Sequence, residues 1–237
     1  MALQLGKRLG YPVHRYTFET DYQPGIVAQY VPDDYTKRKA VERGAPPERV
    51  HVVGNLVADA TSASVATPGR GSPHVLLFSS SRSTLARHFI PFLLGIVDEL
   101  GQALPGATFA WPVSRLLDPA AVSTGIAGPA PRSIDGVHSI RSGSMVTTAN
   151  GVRVHIVPED DRYNEMRAAD IAITMPGTNT LELGIAHVPA AVLLPLNRAE
   201  LIPVGNALHW IGYIPLLGPL IKSWGIRWYI NTHGMVA

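Results

Sequence analysis

The stretch AADIAITMPGTNTLELGIAHVPAAVLLPL, residues 168–196, limits the fold of this chain more than any other. An apolar run from Ile171 to Met175 stops at Pro176-Gly177, a Thr178-Asn179-Thr180 turn opens a short helical pattern, and a second apolar run follows from Ala190. Two short apolar runs joined by a helix are the mark of a βαβ unit, because parallel strands need a crossover between them. The same alternation recurs along most of the chain. Val13 to Phe18, AQYVP, RVHVVGN, HVLLFSSS and ATFAWPVS read as strands. DDYTKRKAVERG, closed by Gly44, reads as a helix, as do Leu85, Phe89, Phe92, Ile96, Val97 and Leu100 at helical spacing. Pro91 lies inside that second helix and should kink or divide it. MVTTANGVRVHIV reads as two strands about an Asn150-Gly151 turn, and a charged helix is expected over 160–168. Residues 115–143 read as loop-like, without a clear pattern. The fold class that follows is α/β, with a Rossmann-like parallel sheet.

TSASVATPGRGSP, residues 61–73, has a linker's composition. Before it lie the end of a helix (Leu3, Leu5, Leu9), a stop at Gly10 and a strand with no preceding neighbour to pair with. The expectation is a fragment: residues 1–60 as the remnant of a preceding domain, 61–73 as linker, and 74–237 as a ligand-binding domain with an apolar tail. The N-terminus lacks the apolar segment and cleavage site of a signal peptide.

In open parallel sheets, ligands bind beyond the carboxyl ends of the strands. Two loops are of that kind. In FSSSRS, small hydroxyl residues Ser79, Ser80 and Ser81 let backbone approach an anion, and Arg82 offers a planar fork suited to phosphate; Ser-rich turns are equally ordinary helix caps. In the second loop, Gly177, Thr178, Asn179 and Thr180 surround the free amides of a helix N-terminus, an anion site. Glu182 is either a variant capping-box carboxylate returning to Asn179 or an acceptor for a sugar diol.

The series VVGNLVAD, LLFSSSRS and MRAADIAITMPGTNTLELGIAHVPAAVLLPLN resembles the lipid-A-disaccharide synthase family, from about Val52 to the end of the chain. That resemblance implies a GT-B glycosyltransferase fold, this chain being its C-terminal donor-binding half. It also implies transfer of acylated glucosamine from UDP to a lipid-linked sugar acceptor. The UDP-sugar would lie between Ser80-Ser81-Arg82 and Gly177 to Glu182, with Glu182 towards the ribose and the general base in the absent N-terminal part. Ser79 and Ser80 stand where the family has Pro-Gly, and Asn55 where Gly-His is usual. VVGNLVADAT also resembles a segment of UDP-N-acetylglucosamine 2-epimerases, which is the alternative reading. A non-catalytic, membrane-associated module of the same fold is a third.

Composition narrows the partners. Charged residues are 16%, below the roughly 25% of an ordinary soluble domain, so apolar surface needs a partner or a membrane. The apolar tail over 203–230 is broken by His209, Pro215, Gly218 and Pro219, and its Trp210, Tyr213, Trp224, Trp228 and Tyr229 suit a peripheral membrane surface rather than a span. The location expected is cytoplasmic, at the inner face of the plasma membrane. A formal charge of +2 is too mild to argue for nucleic acid. Zero cysteines exclude disulfides and thiolate sites, and no two histidines have zinc-ligand spacing, so no metal and no cofactor are expected.

Overall fold

The computed structural model describes residues 6, 8–62, 73–129 and 134–195, together with Trp224, Gly225, Trp228 and Thr232. The helix expected through Leu3 and Leu5, most of the 61–73 linker and nearly all of the 203–230 tail lie outside the described residues. The chain forms two compact units, Met1–Ala63 and Ser64–Ala237.

In the first unit, β1 (His14–Tyr16), β2 (Ala28–Val31) and β3 (Val50–Val52) pair in parallel in that order, with α1 (Asp34–Glu42) crossing between β2 and β3 and α2 (Leu56–Ser62) following. The α1 helix starts where Asp33 Oδ1 accepts from the Thr36 amide at 2.7 Å, satisfying one of the helix's unpaired donors. It packs on the sheet through Ala40, which is buried with Val31, Ala45 and Val50.

The second unit runs β4 (His74–Phe78), α3 (Ser83–Ala103), β5 (Thr108–Pro112), α4 (Pro119–Ala127), β6 (Ile140–Ser142), β7 (Met145–Thr147), β8 (Arg153–Val157), α5 (Arg162–Ala168), β9 (Ile171–Thr174), α6 (Thr178–Ile185) and β10 (Ala190–Val192). Its sheet has the order β10-β9-β4-β5-β8-β7-β6. The first five strands in that order are parallel, and the β6–β7 hairpin joins β8 antiparallel. Alternating side chains of β4 face opposite layers, as the two-residue period of a strand requires. Val75 and Leu77 pack with Ile90, Leu93, Leu94 and Val97 of α3 and Val122 and Ile126 of α4. Leu76 and Phe78 pack with Met166 of α5 and Leu183 of α6. Both faces of a parallel sheet must be covered, and here both are.

Two expectations are corrected. Pro91 does not divide its helix: α3 is continuous from Ser83 to Ala103. An interior proline costs about 3 kcal/mol, but Phe89, Ile90, Leu93, Leu94 and Val97 are all buried around it, and their burial outweighs that cost. The Pro91 carbonyl also accepts from the Val137 amide at 3.2 Å. Gly136 permits that approach, since a β-carbon there would lie 2.4 Å from the Pro91 carbonyl carbon and oxygen. The region 115–143, expected to be loop-like, contains α4 and β6. Asp118 caps α4 by accepting from the Ala120 amide at 2.9 Å, with Pro119 in the first turn.

Two buried polar clusters tie the layers together. Asp98 of α3 accepts from the Thr148 hydroxyl, the Asn150 amide at 3.0 Å and Asn150 Nδ2 at 2.8 Å, fixing the turn between β7 and β8. His74 of β4 reaches Thr108 Oγ1 of β5 through Nδ1 at 2.8 Å and Glu165 Oε2 of α5 through Nε2 at 3.1 Å.

Candidate functional site

The strand order locates the site. From β4 the chain moves to β5 and then β8 on one side, whereas β9 and β10 lie on the other side of β4. The connections leaving β4 and β9 therefore diverge to opposite faces, and the crevice between their carboxyl ends is the sheet's topological switch point. Phe78 is in register with Thr174, so the two loops leave the sheet at the same level. These are the two loops singled out in the sequence, Ser79 to Arg82 and Met175 to Gly177.

In the first loop, Ser79 is buried, Ser80 half-buried, and Ser81 and Arg82 exposed. Ser80 Oγ accepts from the Arg82 amide at 3.1 Å, a local turn that holds the loop open ahead of α3. Arg82 itself occupies the N-cap position with extended backbone and makes no side-chain cap. In the second loop, Pro176, Gly177 and Thr178 are exposed, and the N-cap residue of α6 is Gly177, which makes no side-chain cap. Among the described residues, a β-carbon at Gly177 would meet nothing within 4 Å. The Thr180 hydroxyl donates back to the Gly177 carbonyl at 2.6 Å.

Glu182 is buried, and its carboxylate does not return to the amide of Asn179 as a capping box would require. Arg162, the first residue of α5, donates from Nη2 to Glu182 Oε2 and to Asn179 Oδ1, the latter at 3.0 Å. The Tyr163 hydroxyl stands 3.5 Å from Glu182 Oε1. Burial pushes the Glu182 carboxyl above its ordinary 4.5, with the Arg162 charge and the hydrogen bonds from Tyr163 and Arg162 pulling it back. Burial and the Glu182 charge push the Tyr163 hydroxyl up as well. A polarised helix end, an exposed guanidinium and a charged, buried carboxylate can together hold an anion joined to a hydroxylated sugar.

Sequence reasoning missed Arg162 and Tyr163. Their signal lay in Glu159-Asp160-Asp161-Arg162, where a cation follows three acids at a helix start, a place that disfavours positive charge. A separate cleft of about 570 Å³ is lined by His74, Thr108, Asn150, Arg153 and His155. It lies at the amino ends of β4, β5 and β8, opposite the two loops. Among the described residues no group of three metal-ligating side chains converges, and no helix is long and apolar enough to cross a membrane.

The architecture is a GT-B-like, Rossmann-type α/β fold. No protein-family model and no curated protein matches the chain. Among solved structures, it is similar to a Listeria monocytogenes protein assigned as a UDP-N-acetylglucosamine 2-epimerase, with a TM-score of 0.51 and 16% identity over 81% of this chain. It is also similar to S. aureus MnaA in complex with UDP, with a TM-score of 0.50 and 14% identity over 85% of this chain. The chain spans 52% and 57% of the length of those two proteins. These matches overturn the expectation of a lipid-A-disaccharide-synthase-type glycosyltransferase: the similar solved structures are named as UDP-N-acetylglucosamine 2-epimerase and MnaA. The physical reason is that the quoted motifs form a strand-end loop and a helix N-terminus at a switch point. Such loops suit a nucleotide diphosphate whatever is done to its sugar.

Proposed function

We propose that the second unit binds a UDP-sugar at the β4–β9 switch point, as the nucleotide-binding part of an enzyme of the UDP-N-acetylglucosamine 2-epimerase type. The diphosphate lies over the first turn of α6, with Gly177, Thr178, Asn179 and Thr180 around it and Ser80, Ser81 and Arg82 facing it from the other loop. Glu182 accepts from the ribose hydroxyls. The observation that carries this reading is the in-register pairing of Phe78 with Thr174, which brings both loops to one crevice. The fold similarity to a protein solved with UDP supports it.

Calorimetric titration of UDP, and then of UDP-N-acetylglucosamine, into the full chain tests the site. Saturable binding of both, each competing with the other, is expected; a folded chain that binds neither refutes the proposal. Proton NMR of UDP-N-acetylglucosamine incubated with the protein tests the chemistry. Inversion at the sugar C2 is the signal of epimerisation, and free UDP with transfer of an intact sugar to an added acceptor would refute it.

A further inference from the structure

Arg162 connects three separate parts of the candidate site. Its Nη2 holds Glu182 and Asn179 of α6, its Nη1 lies 3.6 Å from Glu159 Oε1, and its guanidinium stands 5.7 Å from the centre of the Phe78 ring and 5.3 Å from that of Tyr163. Phe78 is the last residue of β4 and Tyr163 belongs to α5, so a single planar group is fixed by a strand end and two helices. The side chains of Arg162 and Glu182 are 17% and 9% exposed, so the pair is largely withdrawn from the surface. A cation at a helix N-terminus opposes the helix dipole, so α5 gains nothing from Arg162 as a local helix residue. Its contacts point to the pair as the reason for its place.

We propose that Arg162 is a positioning residue: it fixes the rotation and charge of Glu182, so that recognition of a ribose 2′-hydroxyl passes through this clamp. The inference rests on the UDP-sugar reading of the site. An ionised carboxylate has about four lone-pair directions. Arg162 occupies one on Oε2, while the Tyr163 hydroxyl, at 3.5 Å from Oε1, is too distant to make a strong bond. Acceptor capacity for a diol remains, but only while the carboxylate is charged and held in place. The charged and titratable groups facing it are Arg162 and Tyr163 of α5 and Glu159 in the turn before it. Arg162 holds Glu182 and Asn179 through Nη2 while Nη1 faces Glu159 and the guanidinium plane stands by two rings, whereas a lysine ammonium has one nitrogen for all of these contacts.

The test compares UDP with 2′-deoxy-UDP by titration into the full-length wild type, Arg162→Met and Arg162→Lys, beside their melting curves. The wild type should favour UDP roughly tenfold or more, as expected for a hydrogen bond to a charged group. In Arg162→Met the ratio should fall towards one, while 2′-deoxy-UDP affinity, set by the phosphates, stays within about twofold of wild type. Arg162→Lys should give an intermediate ratio, and Glu182→Gln added to Arg162→Met should change the ratio no further. A wild-type ratio carried unchanged by Arg162→Met overturns the positioning role and leaves the UDP site standing. Should Arg162→Met fail to fold, an unchanged ratio in Arg162→Lys overturns it equally. A wild type that binds both nucleotides alike also refutes the inference. Binding of neither refutes the site itself, so the two failures are distinct.

Discussion

The pairing of His74 with Glu165 gives the most direct test of how the second unit is held together. Both residues are buried, and His74 Nε2 meets Glu165 Oε2 at 3.1 Å while Nδ1 meets Thr108 Oγ1 at 2.8 Å. Glu165→Ala leaves the imidazole nitrogen without its buried partner, at about 1–3 kcal/mol, and opens a void where the rest of the side chain had been. The total loss should be about 2–4 kcal/mol. The unit spans 174 residues (237 − 64 + 1), a size at which each kcal/mol moves Tm by roughly 2–4 °C, so Tm should fall by about 4–16 °C. Glu165→Gln keeps the shape and an acceptor. Because imidazole and the Thr108 hydroxyl can each donate or accept, the network can reverse to suit an amide, and the loss should stay under about 1.5 kcal/mol. Urea unfolding of the three proteins, with calorimetric melts alongside, measures both changes. Equal losses in the two variants would show that hydrogen-bond satisfaction is not what matters, and an alanine variant within about 0.5 kcal/mol of wild type would sink the reasoning outright.

Glycine exchange in and beside α3 should separate tight from roomy sites. Gly136→Ala puts a β-carbon 2.4 Å from Pro91 backbone atoms and should cost about 1–3 kcal/mol. Gly95→Ala, whose nearest neighbour would be 3.6 Å away, should instead add about 0.5–1 kcal/mol; chemical denaturation that ranks the two the other way contradicts the packing described. The raised Glu182 carboxyl makes the folded state favour the proton. That stability is fully present below pH 4.5 and is lost as pH rises through the folded value. Glu182→Gln cannot titrate and should flatten this part of the stability–pH curve, so parallel curves would refute the burial argument. Arg82→Ala should weaken UDP by about 1.5–3 kcal/mol; unchanged affinity in a titration would leave the Ser-rich loop as a helix start alone.

Periodicity made the element order legible because strands and helices write their repeats locally. The run from Ile171, the Pro176-Gly177 stop and the return at Ala190 are β9, α6 and β10. The Asn150-Gly151 turn stands between β7 and β8, with Gly151 at φ 85°. Asp118-Pro119 carried the start of α4, but with Gly125 and Gly128 so near, the helical pattern did not stand out. Division at Pro91, one of the two outcomes expected there, did not occur, because buried neighbours offset the local penalty. The Arg162 clamp joins residues 17 and 20 positions apart, and only the folding of α5 and α6 against one sheet face brings them together. The sequence likewise offered two loops without the strand order, and the strand order is what makes them one crevice. Its motifs marked a strand-end loop and a helix N-terminus, and the reaction expected from the resemblance they carry did not hold.

The position of β4 also sets an order of assembly. Val75 pairs with Phe109, 34 residues on, and with Ile171, 96 residues on. Closing the longer loop costs roughly 0.9 kcal/mol more chain entropy, so the seam between β4 and β9 zips after the side holding β5. Until then one edge of the central strand is open to pairing with another chain. The crevice comes into being only with that late seam, and a ligand held from both of its walls has no affinity for the half-zipped chain. Under the proposed function, ligand would act on the closing of that seam, drawing it shut by mass action and shortening the time for which the β4 edge stands open to aggregation.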